Sequence, residues 1–575
     1  MRDSTDLGPR IWRGVGVGRA GAVGPVVQVR GVPRVAPDTP VLVEGIPAGK
    51  WALRNLVSDA FAVVTRRLHE RAGRATENAR LAFESAAVLA EDRALQAEVL
   101  ARIADGDPAV AAIDTVIAGF ASYLAASGEP TAVHDVELRK VRDCVVAEIL
   151  GLPQPGVPEL VEPTVLVARE LSTTDISSLN KDLVLAIVTE LGGPTSHAAI
   201  LAGQIDVPCI VQATGVTELA DGVVVAVDTA TGTVTLDPTD TDRDRLERRR
   251  SSIRALDNER GPGVTRDGVA VALEANIASM ADAARLADSS VQGVGLYRTE
   301  AVFLERATPP GVDEQRVIYE RVLRSLGGRP VTIRTVDGGA DRPLEFLLGQ
   351  GMDPATAFEA LGLRGFRLDV RYPQILDSQL RAIAAAQDNT GVAVRVMAPM
   401  ISTPREAAEF AKRAREFGIA QVGAMVEIPS AALRASKILE HVDFISVGTN
   451  DLAQYTMAAD RTLGELSRLL DPWQPAVLDL VSMAARAGKE HSKPVAVCGE
   501  AAADPALALV LVGLGVTSLS MAPGAVSAVR HAIRHHSAKE TRAIARAALA
   551  ESSPSSAKRA ALELVDPQVR ADLEL

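Results

Sequence analysis

The sequence predicts a multidomain α/β protein: a small α/β domain interrupted by an all-α helical block and followed by a (β/α)8 TIM barrel. Three observations predict it. Strand-like apolar runs near the N-terminus resume only after a long interruption. The interruption, from about Ile46 to Leu150, is rich in Ala, Leu, Arg and Glu with helical periodicity. From about Gly263 onward, short apolar runs alternate with helical stretches, the signature of a parallel barrel.

Composition bounds the reading. A chain of 575 residues is too long for one core. Apolar content of 47% with 23% charged residues is ordinary for a soluble globular protein. The net charge of −12 argues against nucleic acid as the main partner and permits a basic protein partner. Cys144, Cys209 and Cys498 are too dispersed for a disulfide framework or a zinc pattern, so a reducing, cytoplasmic setting is expected. Met1 to Arg10 is polar and carries no signal-peptide core. No apolar run reaches membrane-spanning length, so membrane insertion is not expected.

The elements follow in order. Trp12 to Val29 alternates as strand and leads into a proline-rich joint, Val32 to Pro40. Breaks at Gly106-Asp107-Pro108 and Gly128-Glu129-Pro130 divide the helical block into about four helices. A second joint, Leu152 to Pro158, returns the chain to strands at Val165–Ala168, Leu183–Val188, Pro208–Val211 and Val223–Val227. The charged stretch Asp240 to Glu259 reads as an exposed connecting helix. Eight barrel strands are expected at Val269–Ile277, Gly293–Glu300, Val331–Asp337, Ala360–Leu368, Val394–Ile401, Gln421–Ile428, Asp443–Asn450 and Pro494–Glu500. The expected domains are therefore 1–35 with 150–238, the inserted 36–149, a linker 239–262 and the barrel 263–575.

Gly192-Gly-Pro-Thr-Ser-His197-Ala-Ala-Ile200 carries the first chemical signal. A strand-like run enters a glycine turn, and a helix-like run leaves it. His197 thus falls in the first turn of a helix, where free amides and the helix dipole are electropositive. That field favours the neutral imidazole, the form able to attack phosphorus, and then a phosphate attached to it. The competing reading is an ordinary capped helix start with an incidental histidine.

The second signal lies at the strand ends, where a barrel builds its site. They finish in Asn276, Arg298-Thr299-Glu300, Arg334-Thr335-Val336-Asp337, Arg364, Met400, Glu427, Asn450-Asp451 and Cys498. Arginine forks match phosphate and carboxylate, and Glu427 and Asp451 are hard oxygen donors suited to Mg2+. The competing reading is a set of ion pairs closing the barrel mouth.

These motifs resemble Enzyme I of the bacterial sugar phosphotransferase system, the phosphoenolpyruvate–protein phosphotransferase family. The resemblance runs from Trp12 to about Glu563 and is carried by residues 192–200, 293–300, 334–339, 425–429, 446–456 and 497–500. It implies a swivelling phosphohistidine domain and an inserted domain that binds the phosphocarrier protein HPr. It also implies a homodimer formed through a phosphoenolpyruvate-binding barrel. His197 would accept the phosphoryl group and pass it to a histidine of HPr. Arg298, Arg334 and Arg461 would bind phosphoenolpyruvate, with Arg364, Arg342 and Asp451 beside them. Asn450 would meet the substrate carboxylate, Glu427 and Asp451 would hold Mg2+, and Cys498 would protonate the enolate carbon to release pyruvate. A neutral thiol suits that step, although a lone cysteine is more often simply a small buried apolar residue. Since His197 and the arginines lie on different domains, a swivel about 240–262 is expected.

Some positions depart from the family pattern. Pro194 replaces a usual Arg, Ala340-Asp341-Arg342 a usual Gly-Asp-Lys, and Phe358-Glu359-Ala360 a segment with Asn-Pro; Ser172 stands for a Thr. The helical block's Glu84, Glu91, Asp92, Asp105 and Asp107 could steer a basic carrier or could be solvated faces. An ATP-dependent dikinase would need an ATP-binding region ahead of His197, for which there is no room. A non-catalytic sensor would have lost Glu427, Asp451 or Cys498. A nitrogen-regulatory paralogue would carry an extra N-terminal sensory domain.

Overall fold

A computed structural model describes residues 11–575, apart from 19–20, 32–34, 44, 75–76, 127–130, 159, 172–178, 194–198, 200–201, 203–206, 258–259, 287–288, 305, 307, 340–343, 349–358 and 462–463. The chain divides into two compact units, the second running from Asp244 to Leu575.

The first unit holds a mixed sheet and a helical block. The N-terminal chain forms β1 (Ile11–Arg13), β2 (Val15–Val17) and β3 (Gly21–Gln28), then a small hairpin of β4 (Leu42–Val43) and β5 (Ile46–Pro47). Five helices follow: α1 (Lys50–Arg74), α2 (Glu77–Glu91), α3 (Arg93–Asp105), α4 (Ala109–Ala126) and α5 (Thr131–Ile149). The sequence reading of about four helices misses the division between α2 and α3. No glycine or proline marks it; Asp92 caps α3 instead, accepting from the amides of Ala94 and Leu95 at 2.8 Å each. The block buries its own core of Phe61, Leu68, Ile103, Ile113 and Leu138.

The chain then returns to the sheet as β6 (Thr164–Ala168), β7 (Val184–Thr189), β8 (Cys209–Val211), β9 (Val224–Asp228) and β10 (Thr233–Leu236). The strand order is β1-β10-β9-β3-β6-β7-β8-β2, with β3, β6, β7 and β8 mutually parallel. β1 and β2 are nearly consecutive yet pair with opposite ends of the sheet. Glycine makes that passage possible: a Cβ at Gly16 would lie 1.8 Å from the Thr229 carbonyl oxygen.

The connecting helix, Asp240–Asp257, is charged as expected but not wholly exposed. Leu246, Arg249 and Leu256 are buried, and Arg249 reaches Glu574 at 3.6 Å.

The second unit is a closed parallel barrel of β11 (Ala272–Ile277), β12 (Val294–Arg298), β13 (Val331–Arg334), β14 (Val394–Ala398), β15 (Gln421–Val426), β16 (Phe444–Val447), β17 (Val495–Val497) and β18 (Ser518–Met521). β18 closes it against β11, Ala272 facing Ser518. Two sequence expectations are corrected here. Ala360–Leu368 is not a strand: Gly365–Val370 forms a 3-10 helix and Leu361 is 80% exposed. The missing strand is β18, whose inward serines hid it from a search for apolar runs. Ser518 Oγ donates to Glu274 at 2.6 Å and Ser520 Oγ to Asn276 at 2.6 Å, so their hydroxyls are satisfied inside the barrel.

Candidate active site at the barrel strand ends

Most of the residues singled out in the barrel sequence come together at the carboxyl ends of its strands. Arg298 and Arg334 are the last residues of β12 and β13; Glu427 directly follows β15 and Cys498 directly follows β17. Asn450 and Asp451 open the helix Thr449–Met457, which β16 enters through Gly448. Cys498 thus ends the seventh strand, not the eighth. Arg364 is not at a strand end at all; it precedes the 3-10 helix and reaches in from a loop. His197, Arg342, Ser172, Pro194 and Phe358 lie outside the described residues.

A buried chain of ion pairs organises the cluster. Arg334 Nη2 donates to Glu300 Oε1 at 2.9 Å, and Arg334 Nη1 lies 3.6 Å from Asp337 Oδ2. Arg364 grips Asp337 through Nε and Nη2, at 3.0 and 2.7 Å, and donates Nη1 to Asp451 Oδ1 at 3.1 Å. Arg461 Nη1 approaches the other Asp451 oxygen at 3.5 Å. Burial pushes the Asp337 carboxyl up, but Arg364 and Arg334 outweigh it and hold the group below the usual carboxylate range.

Neutral groups hold this network from behind. Thr299 Oγ1 donates to the Arg334 carbonyl at 2.9 Å. Gln379, from the helix Pro373–Thr390, accepts the Val336 amide at 2.9 Å and donates to Thr299 and Tyr319 at 3.0 Å each. Gln454 accepts the Arg461 amide at 3.1 Å. Sequence reasoning missed Gln379 and Gln454, because a helical glutamine carries no pattern that marks it as buried support.

Cys498 sits in an apolar pocket with Leu296, Met397, Met425 and Phe444. Ser446 Oγ donates to its sulfur at 3.3 Å, and Asn276 Nδ2 donates to its carbonyl at 3.0 Å. Burial raises the thiol above its ordinary value, against the hydroxyl of Ser446 and the charge of Arg334. The group therefore holds its proton at neutral pH. Asn450 Oδ1 accepts the Glu500 amide at 3.1 Å, which fixes the side chain's orientation.

Glu427 is buried, and its Oε1 accepts the Met400 amide at 2.6 Å. Burial, then Asp451 and Asp337, raise its carboxyl above the usual range despite Arg334 and Arg364. Two neighbouring carboxylates in a dry site repel, and a divalent cation relieves that. Magnesium needs only one or two protein carboxylates when substrate oxygens complete its shell. Among the described residues no group of three or more His, Cys, Asp or Glu side chains is arranged to hold a metal; Glu427 with Asp451 would be a donor set of the lean kind that magnesium accepts. These residues fit the ion.

Arg298, Arg334, Arg364 and Arg461 share this end of the barrel with the carboxyls of Glu300, Asp337, Glu427 and Asp451. The arrangement suits a phosphate-bearing carboxylate bound together with a divalent metal, beside a protonated thiol.

Three family models match the chain: the N-terminal domain of PEP-utilising enzymes over residues 13–132, their mobile domain over 160–232 and their PEP-binding domain over 254–538. The chain is 43% identical over 96% of its length to a phosphoenolpyruvate-protein phosphotransferase from Streptomyces coelicolor, spanning 98% of that protein. It is 36% identical to one from Latilactobacillus sakei, over 68% of this chain and 71% of that one. A multiphosphoryl transfer protein from Rhodobacter capsulatus is 38% identical over 70% of this chain and 50% of its own length.

Proposed function

The chain is an enzyme of the phosphoenolpyruvate–protein phosphotransferase family, Enzyme I, and we propose that it moves the phosphoryl group of phosphoenolpyruvate to His197 and then to a histidine of the carrier HPr, releasing pyruvate. The observation that carries this is the arginine–carboxylate network of Arg334, Arg364, Glu300, Asp337 and Asp451, with Cys498 behind it.

Arg298, Arg334 and Arg461 hold the phosphate, Arg364 supports them through Asp337 and Asp451, and Asn450 meets the substrate carboxylate. Phosphoryl transfer has a loose transition state, so alignment and charge neutralisation supply most of the catalysis. Glu427 and Asp451 would hold Mg2+, which would supply neutralisation of the negative charge on the substrate. A His197 ring nitrogen takes the phosphorus while the bond from phosphorus to the enol oxygen breaks, leaving the electron pair on the enolate. Cys498 gives its proton to the enolate carbon, and pyruvate forms. The thiolate then regains a proton from solvent.

The domain limits 1–35 with 150–238, 36–149, 239–262 and 263–575 belong to this reading, as does a swivel of the α/β domain about the linker. The acidic residues of the helical block bear on HPr docking. Asp92 is occupied as a helix cap, Glu84 faces Arg80 at 3.4 Å, and Glu91 faces His69 at 3.1 Å. Glu84 and Glu91 sit in weak exposed pairs that a basic partner can replace. Arg342 stays in the phosphate-binding set from its place in the motif. A homodimer through the barrel belongs to this reading as well. Among the described residues no helix is long and apolar enough to cross a membrane. Cytoplasmic action at the head of sugar uptake completes the proposal.

The test is incubation of the protein with phosphoenolpyruvate, Mg2+ and purified HPr. Acid-labile phosphate on HPr with an equal amount of pyruvate is expected. Pyruvate formed without phosphate on HPr would contradict the assignment.

A further inference from the structure

The strand β14 ends in Ala398, and two residues later the backbone of Met400 turns left-handed, at φ +60°. Met400 is fully buried, and an L-residue with a side chain holds that conformation only where its surroundings over-determine it. Three neighbours do so. Its amide lies 2.6 Å from Glu427 Oε1. Its sulfur lies 3.9 Å from the Tyr455 hydroxyl. Gly365, itself at φ +55°, leaves room for it: a Cβ there would come within 2.8 Å of Met400 Cγ and 2.9 Å of its Cβ.

The other oxygen of Glu427 has a different setting. A Cβ at Gly448 would stand 3.0 Å from Oε2, so this oxygen lies close against the glycine that leads into the helix Thr449–Met457. One oxygen is therefore tied to a backbone amide, and the second lies at the start of the helix that carries Asp451. We propose that Met400 is a positioning residue: its left-handed backbone aims the amide that fixes Glu427, so that Oε2 is presented to a divalent cation shared with Asp451. The inference rests on the reading that Glu427 and Asp451 hold such an ion. A ligand carboxylate fixed by a fully buried amide loses little orientational freedom when the metal binds, and outer partners of this kind change metal affinity by about tenfold to a hundredfold.

The test is Mn2+ binding to the full chain, followed by the paramagnetic signal of the free ion, beside thermal unfolding of each variant. Met400→Leu and Met400→Ile have nearly equal volume, but the β-branched side chain resists positive φ far more. Met400→Leu is expected to keep Mn2+ affinity within about threefold, and Met400→Ile to lose about tenfold or more. Met400→Gly, which adopts the left-handed turn freely, is expected to keep affinity while melting lower. Equal affinity in the Leu and Ile variants overturns the inference. So does a Gly variant that loses Mn2+ about tenfold, and this variant decides the matter if the Ile variant does not fold. A wild-type chain that binds no more Mn2+ than Glu427→Gln overturns the cation reading itself.

Discussion

Arg364 holds Asp337 by a two-pronged grip, Nε to Oδ1 at 3.0 Å and Nη2 to Oδ2 at 2.7 Å, and spends its remaining nitrogen on Asp451. A planar guanidinium makes all three bonds at once; an ammonium cannot. Arg364→Lys is therefore expected to release Asp451 and raise the KM for phosphoenolpyruvate by roughly tenfold or more. Arg364→Ala leaves Asp337 in a dry site with only the longer contact to Arg334 at 3.6 Å and should cost up to about 3–5 kcal/mol of barrel stability. Steady-state kinetics and urea unfolding measure the two effects.

Gln379 makes the same kind of argument with neutral groups. Its replacement by Leu leaves the Val336 amide without its buried acceptor and Thr299 and Tyr319 without its donor. The expected loss is about 1–3 kcal/mol in urea unfolding, accompanied by a weaker hold on phosphoenolpyruvate, since Thr299 bonds the Arg334 carbonyl.

The proposed role of Cys498 as an acid requires its thiol to be protonated. Burial raises it, so pyruvate formation should hold steady through neutral pH and fall as alkaline pH removes the proton. Cys498→Ala should slow pyruvate release while leaving transfer from phosphorylated protein to HPr intact. Rapid-quench measurement of the two half-reactions separates these effects. Equal slowing of both would contradict the role.

A pH dependence of stability follows from His536. Its Nδ1–H donates to the Ala532 carbonyl at 2.7 Å and its Nε2 accepts the Asp566 amide at 2.9 Å, which only the neutral ring can do. Burial lowers its affinity for a proton and His535 adds to this, against the Ala532 carbonyl and the charges of Glu540 and Asp566. As pH falls through about 6.5, the unfolded chain takes up a proton that the folded chain resists. Stability is then full above that value and declines below it. Thermal unfolding of the barrel unit from about pH 8 to about pH 5 should show the decline, and His536→Leu should flatten it at a lower plateau.

Much of the barrel was legible because its strands are short buried runs that end in charged residues. β12, β13 and β15 stand out for that reason, and so do Arg298, Arg334 and Glu427. Two failures share one cause: an apolar run reports burial only when water is the alternative. In β18 the buried serines bond to Glu274 and Asn276, so polarity masked a strand. In Ala360–Leu368 the apolar residues include the exposed Leu361, while Gly365 at φ +55° bends the backbone away from the sheet. Arg364 was expected at a strand end; it reaches the cluster instead from a loop, where Asp337 and Asp451 hold it. Gln379 and the left-handed turn at Met400 act through contacts distant in sequence, and no local pattern records them.

The most direct measurement is the position of the phosphate on the protein after incubation with phosphoenolpyruvate and Mg2+ and an alkaline quench. Peptide mapping is expected to find it on the imidazole of His197, and His197→Ala should take up none. Phosphate on any other residue, or a His197→Ala variant that still phosphorylates HPr, would contradict the account.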